Sequence, residues 1–296
     1  MILNVATKRT FEENLALTKA RAKAVKTKKE PPVKAKQLSL ELWPEAVRGV
    51  PNAVLRGALF RVSSEREYHK ERTLIATTTE HEIRFMGTTF NQTDLDVWET
   101  LLHFARLQPL GTQVEFTAHS LLKELGRGTG KSQHEQLKEE LMRLIAGAVE
   151  ITWVKEKKAF AGALVSSYFR DDETGRYVVK FNTDMTKLYG MGSTYIDWEQ
   201  RKALGRNNLA KWLHGNYASN AVILDYKVET IRNLSGSTSE LRRFRQTLRA
   251  ALDQLVEIGA IRSWSIDAKT DLVRVDKVPS KTQRKHLATA KKLSTK

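Results

Sequence analysis

Apolar residues recur at spacings of three and four in some stretches of this chain and alternate with polar ones in others. Leu95, Trp98, Leu101, Leu102 and Ala105 form a helical stripe. Asn91 or Thr93 stands where a cap belongs, and Pro109 and Gly111 stop the helix. VEF (114–116) predicts a short strand, and Thr117 can cap a second helix, AHSLLKEL, ended by Gly126. The connector GRGTG leads to a third helix over 132–146, with Leu137, Leu141, Leu144 and Ile145 facing one way. HEIRFMG (81–87) predicts a strand before this helical run. AVEITWV (148–154), ALVSSYFR and RYVVKFN predict strands after it, separated by the basic turn KEKKAFAG and the hairpin turn DDETG. Three helices followed by a strand hairpin is the order of a helix-turn-helix with a β-wing.

The same order returns near the C-terminus. IDWEQRKAL and NLAKWLHGNYAS predict helices, AVILDY a strand and KVETIRNLSG a short helix closed by glycine. A longer helix over 239–258 carries Leu241, Phe244, Leu248, Leu252 and Leu255 on one side. Ser237, Thr238 or Ser239 can cap it, with Glu240 three residues after Ser237 as a capping box requires. IRSWSIDA and DLVRVDKV predict a hairpin around Lys269 and Thr270. The repeat is one of architecture, because the two copies share little residue identity. The expected class is therefore α+β, with two tandem winged-helix domains at 51–193 and 194–279, an arm at 1–50 and a tail at 280–296.

Charge sharpens this picture. The 296 residues carry a net charge of +16, which points to a polyanionic partner. Most of the excess lies at the ends: +7 over residues 1–36 and +6 over 280–296, leaving +3 in between. Tails of this kind either keep a protein soluble or seek phosphates without sequence preference. Specific recognition must come from the nearly balanced middle. There, Arg242, Arg243, Arg245, Gln246 and Arg249 lie opposite the leucine stripe of helix 239–258, with Ser239 at its start and no acid between 241 and 252. An α-helix fits the major groove of duplex DNA. Arginine offers a fork matched to guanine O6 and N7, and glutamine pairs with adenine. Helix 132–146 is a weaker candidate, since Glu135, Glu139 and Glu140 dilute Lys131, Ser132, Gln133, His134, Gln136 and Lys138. The turn lysines Lys155, Lys157, Lys158 and Lys269 suit wing tips touching phosphates. A solvated basic face is the plain alternative for each.

Other chemistry finds little footing. LGRGTGKS misses a P-loop by one position, with Leu125 where the first glycine must stand, and a helix precedes it where a P-loop has a strand. The milder reading is that Lys131 and the helix N-terminus hold one DNA phosphate. His69, His81, His103, His119, His134, His214 and His286 show no ligand spacing, and there is no cysteine. No G-x-S-x-G motif occurs. Asp94 and Asp96 are read as partners of a helix dipole. The expectation is a non-enzymatic cytoplasmic protein without cofactor, metal or membrane span.

Gln37-Leu38-Ser39-Leu40-Glu41-Leu42-Trp43 forms an apolar island beside the basic arm. It resembles the short peptide with which bacterial replication proteins dock on the polymerase sliding clamp, through Gln37, Leu38, Leu40 and Leu42. Commoner versions place Phe at the Leu42 or Glu41 position. The alternative is that the segment folds back on the first domain. From QLSLELWPEAVRGVPNAVLRGALF (37–60) through DLDVWETLLHFARLQPLG and on to about residue 275, the chain resembles the TrfA family of plasmid replication initiators. That resemblance implies two winged-helix domains binding repeated origin sites (iterons) in double-stranded DNA. It also implies recruitment of the host initiator, replicative helicase and sliding clamp, with a homodimer as the inactive stored form. A winged-helix repressor of a plasmid operon is the competing reading, and the clamp-like peptide discriminates against it.

Overall fold

The computed structural model describes residues 43–78, 80–107, 113–280, 283 and 284. These belong to a compact α+β body. Gln37, Leu38, Leu40 and Leu42 lie outside the described residues.

The body begins earlier than the hydrophobic pattern predicts. Trp43 is buried, and β1 (Val47–Pro51) pairs antiparallel with β11 (Ser193–Asp197). Residues 43–50 are thus part of the fold and not of the arm. A short helix α1 (Asn52–Leu55) follows, and β2 (Phe60–Arg61) pairs in parallel with β5 (Phe90–Asn91). β3 (Tyr68–Thr77), β4 (His81–Thr88), β7 (Ala148–Trp153) and β8 (Lys158–Gly162) form an antiparallel four-stranded sheet in that order. Ile83, Phe85, Val149, Ile151 and Phe160 face inward from it.

Helix α2 (Gln92–Ala105) is the centre of the body. Asn91 caps it, accepting from the Thr93 and Asp94 N–H groups, while the Asp94 carboxylate accepts from the Asn91 N–H. Its apolar stripe is buried as the spacing predicts, but so are Asp94, Asp96, Glu99, Thr100 and His103. Those acids find cations. Arg66 and Arg143 hold Asp94, and Asp96 accepts from Arg201 Nε at 2.7 Å and Lys211 Nζ at 2.6 Å. Asp94 closes the helix start, as the dipole reading expects, and both acids also hold cations: Asp94 the more exposed Arg66 and Arg143, Asp96 the buried Arg201 and Lys211. Arg201 and Lys211 come from α6 (Trp198–Ala203) and α7 (Asn208–Ser219), which follow the short helix α5 (Thr186–Gly190). The carboxylate of Asp96 thereby joins the N-terminal part of the body to the C-terminal part.

One order of elements, helix, strand, helix, helix, occurs twice. In the first copy, β6 (Gln113–Thr117) leads from α2 to α3 (Ala118–Glu124), then α4 (Lys131–Ala146). In the second, β12 (Tyr226–Lys227) leads from α7 to α8 (Val228–Leu234), then α9 (Leu241–Glu257). Each turn passes through a glycine in the left-handed region, Gly126 (φ 67°) and Gly236 (φ 65°), where a Cβ would be strained. The sheets match as well. β9 (Val165–Asp171) and β10 (Arg176–Phe181) join β6 in the order β6-β10-β9, and β13 (Ser263–Ile266) and β14 (Leu272–Asp276) join β12 in the order β12-β14-β13. In both, the strand between helices pairs with the second strand of the hairpin. The first copy differs by an insertion: β7 and β8 leave the end of α4 to complete the four-stranded sheet before the hairpin begins.

Two apolar cores accompany the two copies. One runs from Trp43 to Ile196, the other from Leu204 to Val273. Phe244, Leu248, Leu252 and Leu255 are almost fully buried beneath α9. Each contributes about 1.5–3 kcal/mol by leaving water. Helix α9 starts at Leu241, with Glu240 at the cap position and no side-chain cap. The predicted capping box does not form, because the Ser237 hydroxyl accepts from the Ser239 N–H instead. Likewise AVILDY contributes only Tyr226 to a strand.

Candidate nucleic-acid interface

Helix α9 presents the most distinctive surface. Its leucine side is sealed against the second core, so the opposite side must face solvent. Arg242, Arg243, Gln246 and Arg249 are exposed there, and no ion pair with a described residue neutralises the three arginines. At about 100° per residue, Gln246 lies mid-face, with Arg242 and Arg249 on one flank and Arg243 on the other. The next acid, Asp253, accepts a hydrogen bond from the Trp264 indole at 3.0 Å. Ser239 sits half-buried just before the helix, its carbonyl turned to Arg232.

Arg245 does not share this freedom. It donates from Nε and Nη2 to the two carboxylate oxygens of Asp271, at 3.1 and 2.8 Å. Arg245, expected from the sequence among the base readers, is thus a paired, half-buried side chain at the edge of the face. Asp271 holds the guanidinium charge, which raises the Arg245 pKa further. Nothing in the α9 spacing signals this, because the partner lies across the hairpin. Lys269 is exposed in the turn between β13 and β14, where the Asp267 carboxylate accepts the Lys269 and Thr270 N–H groups.

The equivalent surface of α4 is mixed. Lys131 and Ser132 are exposed at its start, and Gln133 and His134 are half-buried. Lys138 pairs with Glu135 at 2.7 Å, which cancels the charge expected to seek phosphate. Gln136 and Arg127 both donate to Glu140, a buried carboxylate. Arg127 also reaches the Thr93 carbonyl, so the glycine-rich connector is stapled to α2 and α4. No side chain caps the start of α4 at Gly130.

The lysine turn of the first copy is not where the expectation put it. Lys155 and Lys157 lie in the β7–β8 turn, and Lys158 opens β8, a strand that occupies most of the expected turn KEKKAFAG. They belong to the four-stranded sheet. The hairpin packed beside α4, β9–β10, ends instead in the acidic turn of Asp171, Asp172 and Glu173. The cause is pairing: β7 matches β4 residue for residue from His81↔Trp153 to Met86↔Ala148, which carries its far turn away from α4.

The histidines serve structure where they are buried. The Trp43 indole donates to His103 Nδ1 at 3.1 Å, and Glu45 meets His103 Nε2 at 2.9 Å. Burial, with Arg201 and Lys277 nearby, pushes the His214 pKa down to about 3. Among the described residues no three His, Asp or Glu side chains are grouped to hold a metal ion, and no helix is long and apolar enough to cross a membrane.

Comparison with known proteins places this geometry. The family model described as TrfA protein matches residues 7–277. The plasmid replication initiator protein TrfA of Escherichia coli is 25% identical over 275 residues, covering 88% of this chain and 72% of the relative. Two crystal structures of domains 2 and 3 of RctB share the fold, each with a TM-score of 0.53, at 12% and 11% identity. The matches cover 77% and 79% of this chain and 98% and 99% of theirs. With a family model spanning nearly the whole sequence, the chain belongs to the TrfA family of plasmid replication initiator proteins.

Proposed function

We propose that the chain binds repeated sites in double-stranded origin DNA through two tandem winged-helix units, one built on the Trp43–Ile196 core and the other on the Leu204–Val273 core. The observation that carries this reading is the acid-free exposed face of Arg242, Arg243, Gln246 and Arg249, held rigidly from behind by Phe244 and three leucines. The doubled sheet order and the two left-handed glycines support two units of one design. The second unit supplies sequence preference. The first, with the mixed charge of α4, supplies a looser contact through Lys131, Ser132, Gln133 and His134.

The action is assembly and not catalysis. Several copies on adjacent sites strain the neighbouring duplex, a deformation costing up to about 10 kcal/mol that added contacts offset. The host initiator, helicase and sliding clamp then enter, the clamp through Gln37, Leu38, Leu40 and Leu42, and a homodimer is the stored form. The test is footprinting on the replicon that encodes the protein, at physiological salt. Arg242→Ala and Arg249→Ala are each expected to lose about 1–3 kcal/mol and relax preference at one base pair. Loss of binding that is uniform across all sequences would reject α9 as the reader.

A further inference from the structure

We propose that Arg245, although it sits among the arginines of α9, positions the β13–β14 hairpin and reads no base. The inference rests on the DNA-binding reading of α9. Four contacts converge on Asp271. Its carboxylate takes both donors of Arg245 side-on. Its carbonyl accepts the N–H of Val228, the first residue of α8, at 3.0 Å, and its own N–H reaches the Asp267 carbonyl at 2.9 Å. Asp271 is also one of two non-glycine residues in the left-handed region among the described residues, at φ 58°. Such a conformation persists where its surroundings hold it. One residue thus fastens the turn end of the hairpin, two positions from Lys269, to the start of α8 and to the side of α9.

The consequence concerns Lys269. It stands at the tip of that hairpin, in a turn ordered by the Asp267 carboxylate. A tip lysine contacts a phosphate productively only if the hairpin keeps a fixed angle to the helix lying in the groove. Arg245 sets that angle. At about 100° from Gln246 around the helix, it is too far round to reach the same base edges. A bidentate arginine–carboxylate pair supplies the geometric definition such a brace needs.

The test is a double-mutant cycle of Arg245→Ala and Asp271→Asn in the full chain. Asn tolerates the left-handed backbone, so the second variant keeps the turn. Hydrogen exchange over residues 263–276 is expected to rise in both variants, with α7 unchanged, which tests the brace without DNA. In duplex binding, both variants are expected to weaken matched and mismatched sites by one common factor of about ten, and the double variant to be no worse than either. Lys269→Ala should lower the salt slope by about one in the parent and not at all in either variant. Relaxed preference at a single base pair in Arg245→Ala would make Arg245 a reader and overturn the proposal. Tighter binding by Asp271→Asn would overturn it too, since Asp271 would then mask Arg245. If the parent chain binds no duplex while the exchange result holds, the DNA-binding reading fails and the brace stands as a purely structural one.

Discussion

Asp96→Ala tests the charge cluster at the junction of the two halves. The Asp96 carboxylate meets Arg201 at 2.7 Å and Lys211 at 2.6 Å, and all three residues are buried. Glu99 is the other acid on Arg201, at 3.3 Å, and its Oε atoms have no hydrogen-bond partner. Burial pushes the Glu99 pKa up to about 7, so at neutral pH it carries its charge only part of the time and does not replace Asp96. Truncating one member of a buried pair costs about 3–5 kcal/mol, because the other is left uncompensated. Against a total stability of about 5–15 kcal/mol, that is severe. The assay is urea unfolding at pH 7, with Lys202→Ala as control for the exposed Lys202–Glu199 pair, where a loss under about 1 kcal/mol is expected. If Asp96→Ala lost no more than the control, the cluster would be solvated and the reasoning refuted.

Glu99→Gln should become more stabilising as pH rises. The folded pKa lies above the unfolded one of 4.5, so the native state holds this proton more tightly and loses stability as pH climbs from about 4.5 through 7. The gap corresponds to about 3 kcal/mol, read as the difference between variant and parent melts at pH 5 and pH 8; a constant difference would contradict it. Gln37→Ala with Leu40→Ala should abolish capture by the purified sliding clamp and leave duplex affinity unchanged. Retained capture would show that the peptide is not the clamp ligand. Deleting residues 285–296 should weaken matched and mismatched duplexes alike and flatten the salt dependence, and selective loss at the matched site would speak against a non-specific tail.

How far the sequence foretold this depends on whether an interaction is local. The caps at Asn91 and Thr117, the stripes of α2, α4 and α9, and the turn at Lys269 all depend on residues within a few positions, and they read correctly. What depended on distant pairing did not. β3, the ten-residue edge strand, alternates too weakly to declare itself between charged residues. The assignment of β7 and β8 to a second sheet needs β4 as partner. α2 hides its polar side as thoroughly as its apolar one, and the arrival of Arg48, Arg66, Arg143, Arg201 and Lys211 from elsewhere in the chain explains that. The same holds at the interface: exposure of Arg242, Arg243 and Arg249 follows from helical period, whereas capture of Arg245 by Asp271 does not.

The segment after β14 has a practical consequence for anyone shortening or tagging the protein. Lys277 donates to the carbonyls of Tyr217 and Asn220, and Gln283 to those of Ala218 and Asn220. These are the orphan acceptors at the end of α7, the helix that also contributes Lys211 to the buried cluster. A stop codon placed before residue 277 would strip away their donors and loosen the joint from a distance, whereas one placed after 284 leaves every described partner in position. Affinity handles and fluorophores therefore belong beyond that point.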